Sequence, residues 1–215
     1  MTPPAMDITR IKAVAFDCDG VLFDTAQANW KFYDALLQAF DKPGLTQEQF
    51  TNVHMMTVQK AIAYLFEDPA CHDAVFARMK QIGYESFIPY MAMAPGLVPL
   101  LETLKQKGFI RAVATNRTNT MAQVLKENGL ENAFEMVVTA ADVKNPKPDP
   151  EELQKILAAF ELNPEELIFI GDSVYDGKAA QQAGTWFVAF KNPALAAHVH
   201  VDAMDEILGI LQINE

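Results

Sequence analysis

Residues 13–25 read AVAFDCDGVLFDT. A short apolar run of strand-like composition ends in three carboxylates, Asp17, Asp19 and Asp24. Carboxylates crowded beside a buried element repel one another and lose hydration. That cost is tolerated where the cluster binds something positive. The stretch reads as a strand, KAVAF (12–16), that delivers Asp17 and Asp19 to a site.

Downstream of residue 95 the same kind of apolar run recurs between helical segments. IRAVAT (110–115), EMVVTA (135–140), LIFIG (167–171) and TWFVAF (185–190) read as strands. APGLVPLLETLKQKG, TNTMAQVLKENG, PDPEELQKILAAFEL, DGKAAQQAG and MDEILGILQ read as helices, with Gly129 placed as a C-terminal cap. Short continuous apolar strands alternating with helices predict a parallel sheet covered on both faces, an α/β doubly wound, Rossmann-like core.

Between the first strand and residue 94 no convincing strand is visible. Residues 25–41, about 46–66 and about 70–91 each read as helix. Trp30, Tyr33, Leu36, Leu37 and Phe40 recur at helical spacing in the first. This predicts an all-helical insertion at 24–93, with 1–23 and 94–215 forming the core. Met55, Met56, Met91 and Met93 read as core or domain-contact filler.

The chain has 215 residues, half of them hydrophobic and 21% charged, the balance of a folded globular protein. Its 17 basic and 28 acidic side chains give a net charge of −11. Nucleic acid and anionic membrane are therefore not expected partners. An anionic substrate would need local positive charge. No apolar stretch approaches the roughly 18 residues of a membrane span. Cys18 and Cys71 show no metal-ligand spacing and read as reduced thiols of a cytoplasmic protein.

In parallel α/β sheets, ligands bind beyond the carboxyl ends of the strands. Four such ends carry polar groups: Asp17 and Asp19, then Thr115, Asn116 and Arg117, then Lys147 within NPKPDP, then Asp172 and Asp176 within GDSVYDG. Each alone has a structural reading. DCDG can be a turn, Thr115 or Asn116 a helix cap, Lys147 a solvated loop lysine, and GDS a cap. Counting from Asp17, position six is not Gly and position twelve is Ala28, so an EF-hand is excluded. In this order, each at a strand end, they read as one site. Its oxygen-rich carboxylates suit a magnesium ion, and no His/Cys cluster argues for zinc. Lys147 would add a second cation. Thr115, Asn116 and the backbone N–H groups of the Gly20 turn could donate to phosphate oxygens. One carboxylate can attack phosphorus while its neighbour moves the proton.

The ordered set DCDGVLFDT, VATNR, NPKPDP and GDSVYDGKAA resembles the haloacid dehalogenase superfamily of phosphohydrolases, in the branch of phosphoglycolate phosphatase and β-phosphoglucomutase with a helical cap. The resemblance implies that Asp17 is the nucleophile that becomes an aspartyl phosphate. It implies that Asp19 is the general acid/base and binds Mg2+ through its backbone carbonyl, and that Thr115 and Asn116 hold phosphate. Lys147 would balance charge between nucleophile and phosphate. Asp172 would be a magnesium ligand, and Asp176 a ligand through water or a hydrogen-bonding support. Arg117 resembles the basic residue of phosphoglycolate phosphatase-like members; it can touch substrate or stand solvated at a helix start. The implied activity is a magnesium-dependent phosphatase acting on a small phosphorylated metabolite. Its alternatives are a sugar phosphomutase and a non-catalytic binding protein on the same fold. His54, Lys60, Arg78 and Lys80 are candidates for selectivity in the cap, and a monomer or a homodimer is expected.

Overall fold

The computed structural model describes residues 6–54 and 56–213. Two compact units emerge. One is built from the chain up to Asp24 and from Met93 onward, the other from Thr25–Ala92. The first begins with β1 (Ala13–Phe16) and the short β2 (Phe23–Asp24).

The second unit is helical and has its own core. In α1 (Ala26–Gln38), Phe32, Tyr33, Leu36 and Leu37 are buried. They pack with Leu45, Phe50, Ile62, Leu65 and Phe66, and Trp30 and Phe40 cover the margin. The single helix expected over about 46–66 is two, α2 (Gln47–Val53) and α3 (Val58–Leu65). Thr57 adopts extended backbone, and its hydroxyl accepts the N–H of Lys60, so it starts a new helix. The helix expected over about 70–91 is α4 (His72–Ile82), stopped at Gly83, followed by a 3-10 segment Glu85–Tyr90 that contains Pro89. Met91 is buried, but Met56 is 37% exposed and fills no core. Met55 lies outside the described residues.

The chain returns through β3 (Ala92–Met93), which pairs with β2 as a two-stranded ribbon. Then follow α5 (Leu97–Gln106), β4 (Ile110–Thr115), α6 (Met121–Glu127), β5 (Met136–Thr139), α7 (Glu151–Ala159), β6 (Leu167–Gly171), α8 (Val174–Ala183), β7 (Trp186–Phe190), β8 (Val199–Val201) and α9 (Glu206–Ile210). The sheet order is β5-β4-β1-β6-β7-β8, and every pairing is parallel. All residues of β1 and β6 are buried, as strands covered on both faces require. Phe16 and Phe169 are fully buried, each worth about 2–3 kcal/mol of removed apolar surface. β8 had no sequence signal: three residues, VHV, join the edge of β7. His198 helps hold it there, accepting the Phe187 N–H at its Nδ1.

The strand order reverses at β1, with the next strand on one side and β6 on the other. Phe16 lies in register with Val113 and with Ile170. The residues just beyond those three therefore reach the same level. Such a reversal opens a crevice beyond the carboxyl ends of the strands.

Candidate active site

Asp17 follows β1 directly, and its N–H still donates to Ile170, continuing the ladder. That fixes the backbone of the first carboxylate. Lys147 arrives from the loop between β5 and α7. Its ammonium donates to Asp17 Oδ1 at 2.8 Å, to Asp176 Oδ1 at 2.6 Å and to the Ala114 carbonyl at 2.9 Å. Asn116 holds that loop from β4, its Nδ2 donating to the Lys147 carbonyl at 3.0 Å. Asp176 sits in the first turn of α8, where the dipole favours an anion. Its Oδ2 accepts the N–H and hydroxyl of Ser173, and the Ser173 hydroxyl accepts the Asp176 N–H in return. Asn192, beyond β7, donates from Nδ2 to the Asp172 carbonyl at 2.8 Å.

Two glycines make the convergence possible. Gly20 has φ +80, and a Cβ there would stand 2.0 Å from Asp172 Oδ2. A Cβ at Gly171 would meet the Asp176 Cβ at 2.4 Å. Both positions exclude a side chain so that a carboxylate can come close.

Carboxylate oxygens of Asp17, Asp172 and Asp176 lie within 4.8 Å of one another. Burial raises Asp17 well above the ordinary carboxylate range; Lys147 opposes this, while Asp176 and Asp19 add to it. Burial and then Asp176 push Asp172 up to about 7. Burial works against the charge of Lys147, yet Asp17 and Asp176 outweigh it and raise its pKa. One ammonium, bonded to two of them, thus stands against three close carboxyl groups, more acidic groups than it can balance. All donors are hard oxygens, and a divalent cation such as Mg2+ fits both the charge and the donor set. Asp17 and Asp172 are the side chains suited to hold it. Asp176 has each oxygen already engaged, by Lys147 and by Ser173, which suits a supporting role. When bound, such an ion supplies positive charge to a phosphate group and screens the carboxylates.

The remaining expected residues separate by position. The Asp19 side chain stands outside the carboxylate cluster and pairs with Arg117 at 2.5 Å. Arg117 does not stand solvated at a helix start: its side chain is 7% exposed, and α6 begins only at Met121. Thr115 is buried, and its hydroxyl accepts the Arg117 N–H. The N–H of Gly20 donates to the Phe23 carbonyl, so this position contributes space rather than a donor. Sequence reasoning read GDS as a cap, which Ser173 is, but missed its support of Asp176, and it missed Asn192 and Glu152 altogether. The spacing Ser-x-x-Asp was a legible capping box for Ser173. The Asn192 bond to Asp172 and the burial of Glu152 are announced by no local pattern.

A family model described as haloacid dehalogenase-like hydrolase matches residues 14–190. The chain belongs to that family. The fold of this haloacid dehalogenase-like hydrolase is shared by a subfamily IA, variant 1 hydrolase of the same superfamily from Geobacter sulfurreducens. That structure superposes with a TM-score of 0.84 at 37% identity, over 94% of this chain and 97% of the other. Pyrophosphatase PpaX of Bacillus pumilus is 27% identical over 181 residues, 84% of this chain and 83% of its own. A phosphorylated carbohydrates phosphatase of Thermotoga maritima is 29% identical over 178 residues, 81% of this chain and 82% of its own.

Proposed function

We propose that this hydrolase is a magnesium-dependent phosphatase for a small phosphorylated metabolite, working through an aspartyl phosphate on Asp17. The observation that carries this reading is the Asp17 carboxylate itself. It is held at the end of β1 by Lys147 at 2.8 Å, inside a carboxylate cluster that calls for a dication. A carboxylate fixed in this way is a competent nucleophile toward phosphorus.

In the first half-reaction an Asp17 oxygen bonds to phosphorus, the bond to the leaving oxygen breaks, and Asp19 gives that oxygen its proton. In the second, water attacks the aspartyl phosphate and Asp19 takes back a proton. The bond to Asp17 then breaks, and inorganic phosphate leaves. Lys147 keeps the Asp17 carboxylate aimed throughout. The relatives named as pyrophosphatase and as phosphorylated carbohydrates phosphatase support phosphate transfer to water as the reaction class. The helical unit Thr25–Ala92, in place of the expected 24–93, we assign to the cap of the family resemblance, with selectivity as its task, and two free thiols fit a cytoplasmic enzyme.

A panel of phosphate esters and pyrophosphate, read by release of inorganic phosphate, tests this reading. Release is expected with Mg2+, is abolished by EDTA, and is abolished by Asp17→Asn. Turnover surviving Asp17→Asn would remove Asp17 as the nucleophile. Isomer formation from a sugar phosphate without free phosphate would make the enzyme a phosphomutase instead.

A further inference from the structure

Arg117 carries a constraint that the chemistry above does not by itself demand. Its Nη2 donates to Asp19 Oδ1 at 2.5 Å and its Nε to Asp19 Oδ2 at 3.2 Å. A fork on both oxygens fixes a carboxylate in direction and in plane. The guanidinium is anchored in turn by Nη1, which donates to the Thr120 hydroxyl at 2.9 Å, while the backbone N–H of Arg117 is set separately, donating to the Thr115 hydroxyl at 3.2 Å. The Arg117 side chain is 7% exposed and the Asp19 side chain 40%. The more enclosed side chain therefore holds the more open one. The backbone of Asp19 is set separately, by a turn in which Gly20 N–H bonds the Phe23 carbonyl and Phe23 N–H bonds the Cys18 carbonyl. That turn leaves the side-chain torsions of Asp19 to be decided by the fork.

We propose that Arg117 is a positioning residue for proton transfer: it orients the Asp19 carboxylate toward the water that attacks the aspartyl phosphate. This deepens the phosphatase reading and rests on it. A direct phosphate ligand is the competing role, and the two differ in which half-reaction they touch. With 4-nitrophenyl phosphate, an Asp17 oxygen bonds to phosphorus and 4-nitrophenolate leaves with its electron pair as a stable anion, needing no proton. In the second half-reaction the water oxygen bonds to phosphorus, Asp19 takes the water's proton, and the phosphorus–Asp17 bond breaks. Asp17 is again a carboxylate and inorganic phosphate is free. A group acting through Asp19 is therefore silent in the first half and needed in the second. A ligand of the phosphate group is needed in both.

Rapid mixing of the Mg2+-loaded protein with 4-nitrophenyl phosphate separates these roles. For Arg117→Gln, the nitrophenolate burst is expected at one equivalent per site, with a rate constant within about threefold of the wild type. Steady turnover is expected to fall by about 10²-fold, the scale of a misplaced catalytic group. Asp19→Asn should show the same pattern more strongly. Arg117→Lys, which keeps the charge and loses the fork, should lie between Arg117→Gln and the wild type, and it carries the same test if Arg117→Gln melts too low to assay. A burst slowed as much as turnover, or one needing over tenfold more substrate, would make Arg117 a phosphate ligand and overturn the assignment. Wild-type turnover in Arg117→Gln would overturn it too. Wild-type protein that gives neither burst nor phosphate would instead defeat the phosphatase reading, and the two failures are distinct.

Discussion

Glu152 is fully buried in the first turn of α7, and neither of its oxygens reaches a hydrogen-bonding partner among the described residues. Burial pushes its pKa up to about 7, while the charge of Lys147 pulls the other way. The folded protein thus keeps a proton on this carboxyl that the unfolded chain releases above about 4.5. Stability from this group is full below that value and is lost as pH rises toward 7. In EDTA, the melting temperature is expected to fall between about pH 4.5 and pH 7, and Glu152→Gln should flatten that fall. An equal slope in both proteins would exclude Glu152 as its source. At Gly20 the prediction concerns space. Gly20→Ala puts a methyl where Asp172 Oδ2 stands and strains a backbone at φ +80. Calorimetric titration should show Mg2+ affinity reduced by about tenfold or more, the scale seen when groups that orient metal ligands are disturbed.

Ser173 closes a capping box at the start of α8, and its partner in that box is Asp176. One residue therefore both caps a helix and supports the carboxylate cluster. Ser173→Ala should cost about 1 kcal/mol, a drop of roughly 2–4 °C in melting temperature for a chain of this size. Thermal denaturation would show it, and an unchanged midpoint would mean the cap contributes nothing. At this scale much of the fold was legible beforehand. IRAVAT and LIFIG are strands at the residues expected, because a strand buried on both faces is a continuous apolar run. The break at Thr57 was missed because apolar residues continue at helical spacing across it, and only the extended backbone of the cap interrupts the helix. β8 was missed because three residues cannot display a period. The motifs at Asp17, Thr115 and Asp172 stood out because they begin where a strand ends, whereas NPKPDP lies further along the loop beyond β5. The bond from Arg117 to Asp19 was not, because it spans 98 positions and depends on how β1 and β4 pair.

The two units each bury their own apolar cluster, and the strands that join them run side by side at Phe23–Asp24 and Ala92–Met93. Paired strands lie only about 5 Å apart. Replacing residues 25–91 with a short Gly/Ser linker is therefore expected to leave a cooperatively folding core. Every side chain of the carboxylate cluster belongs to that core, so Mg2+ should still raise its melting temperature, by mass action on the folded state alone. A core that unfolds, or one indifferent to Mg2+, would show that the helical unit is needed for more than selectivity. A final consequence lies in the Lys147 side chain. An ammonium group owns three protons, and here each has a fixed destination: the tip of β1, the tip of β4 and the opening turn of α8. The residue is a rivet through three parts of the architecture, and under the proposed function it is a charge beside a phosphate as well. An arginine, flat where the rivet is tetrahedral, would leave at least one hole unfilled. If the proposed function holds, durability and reactivity are the same property at this position.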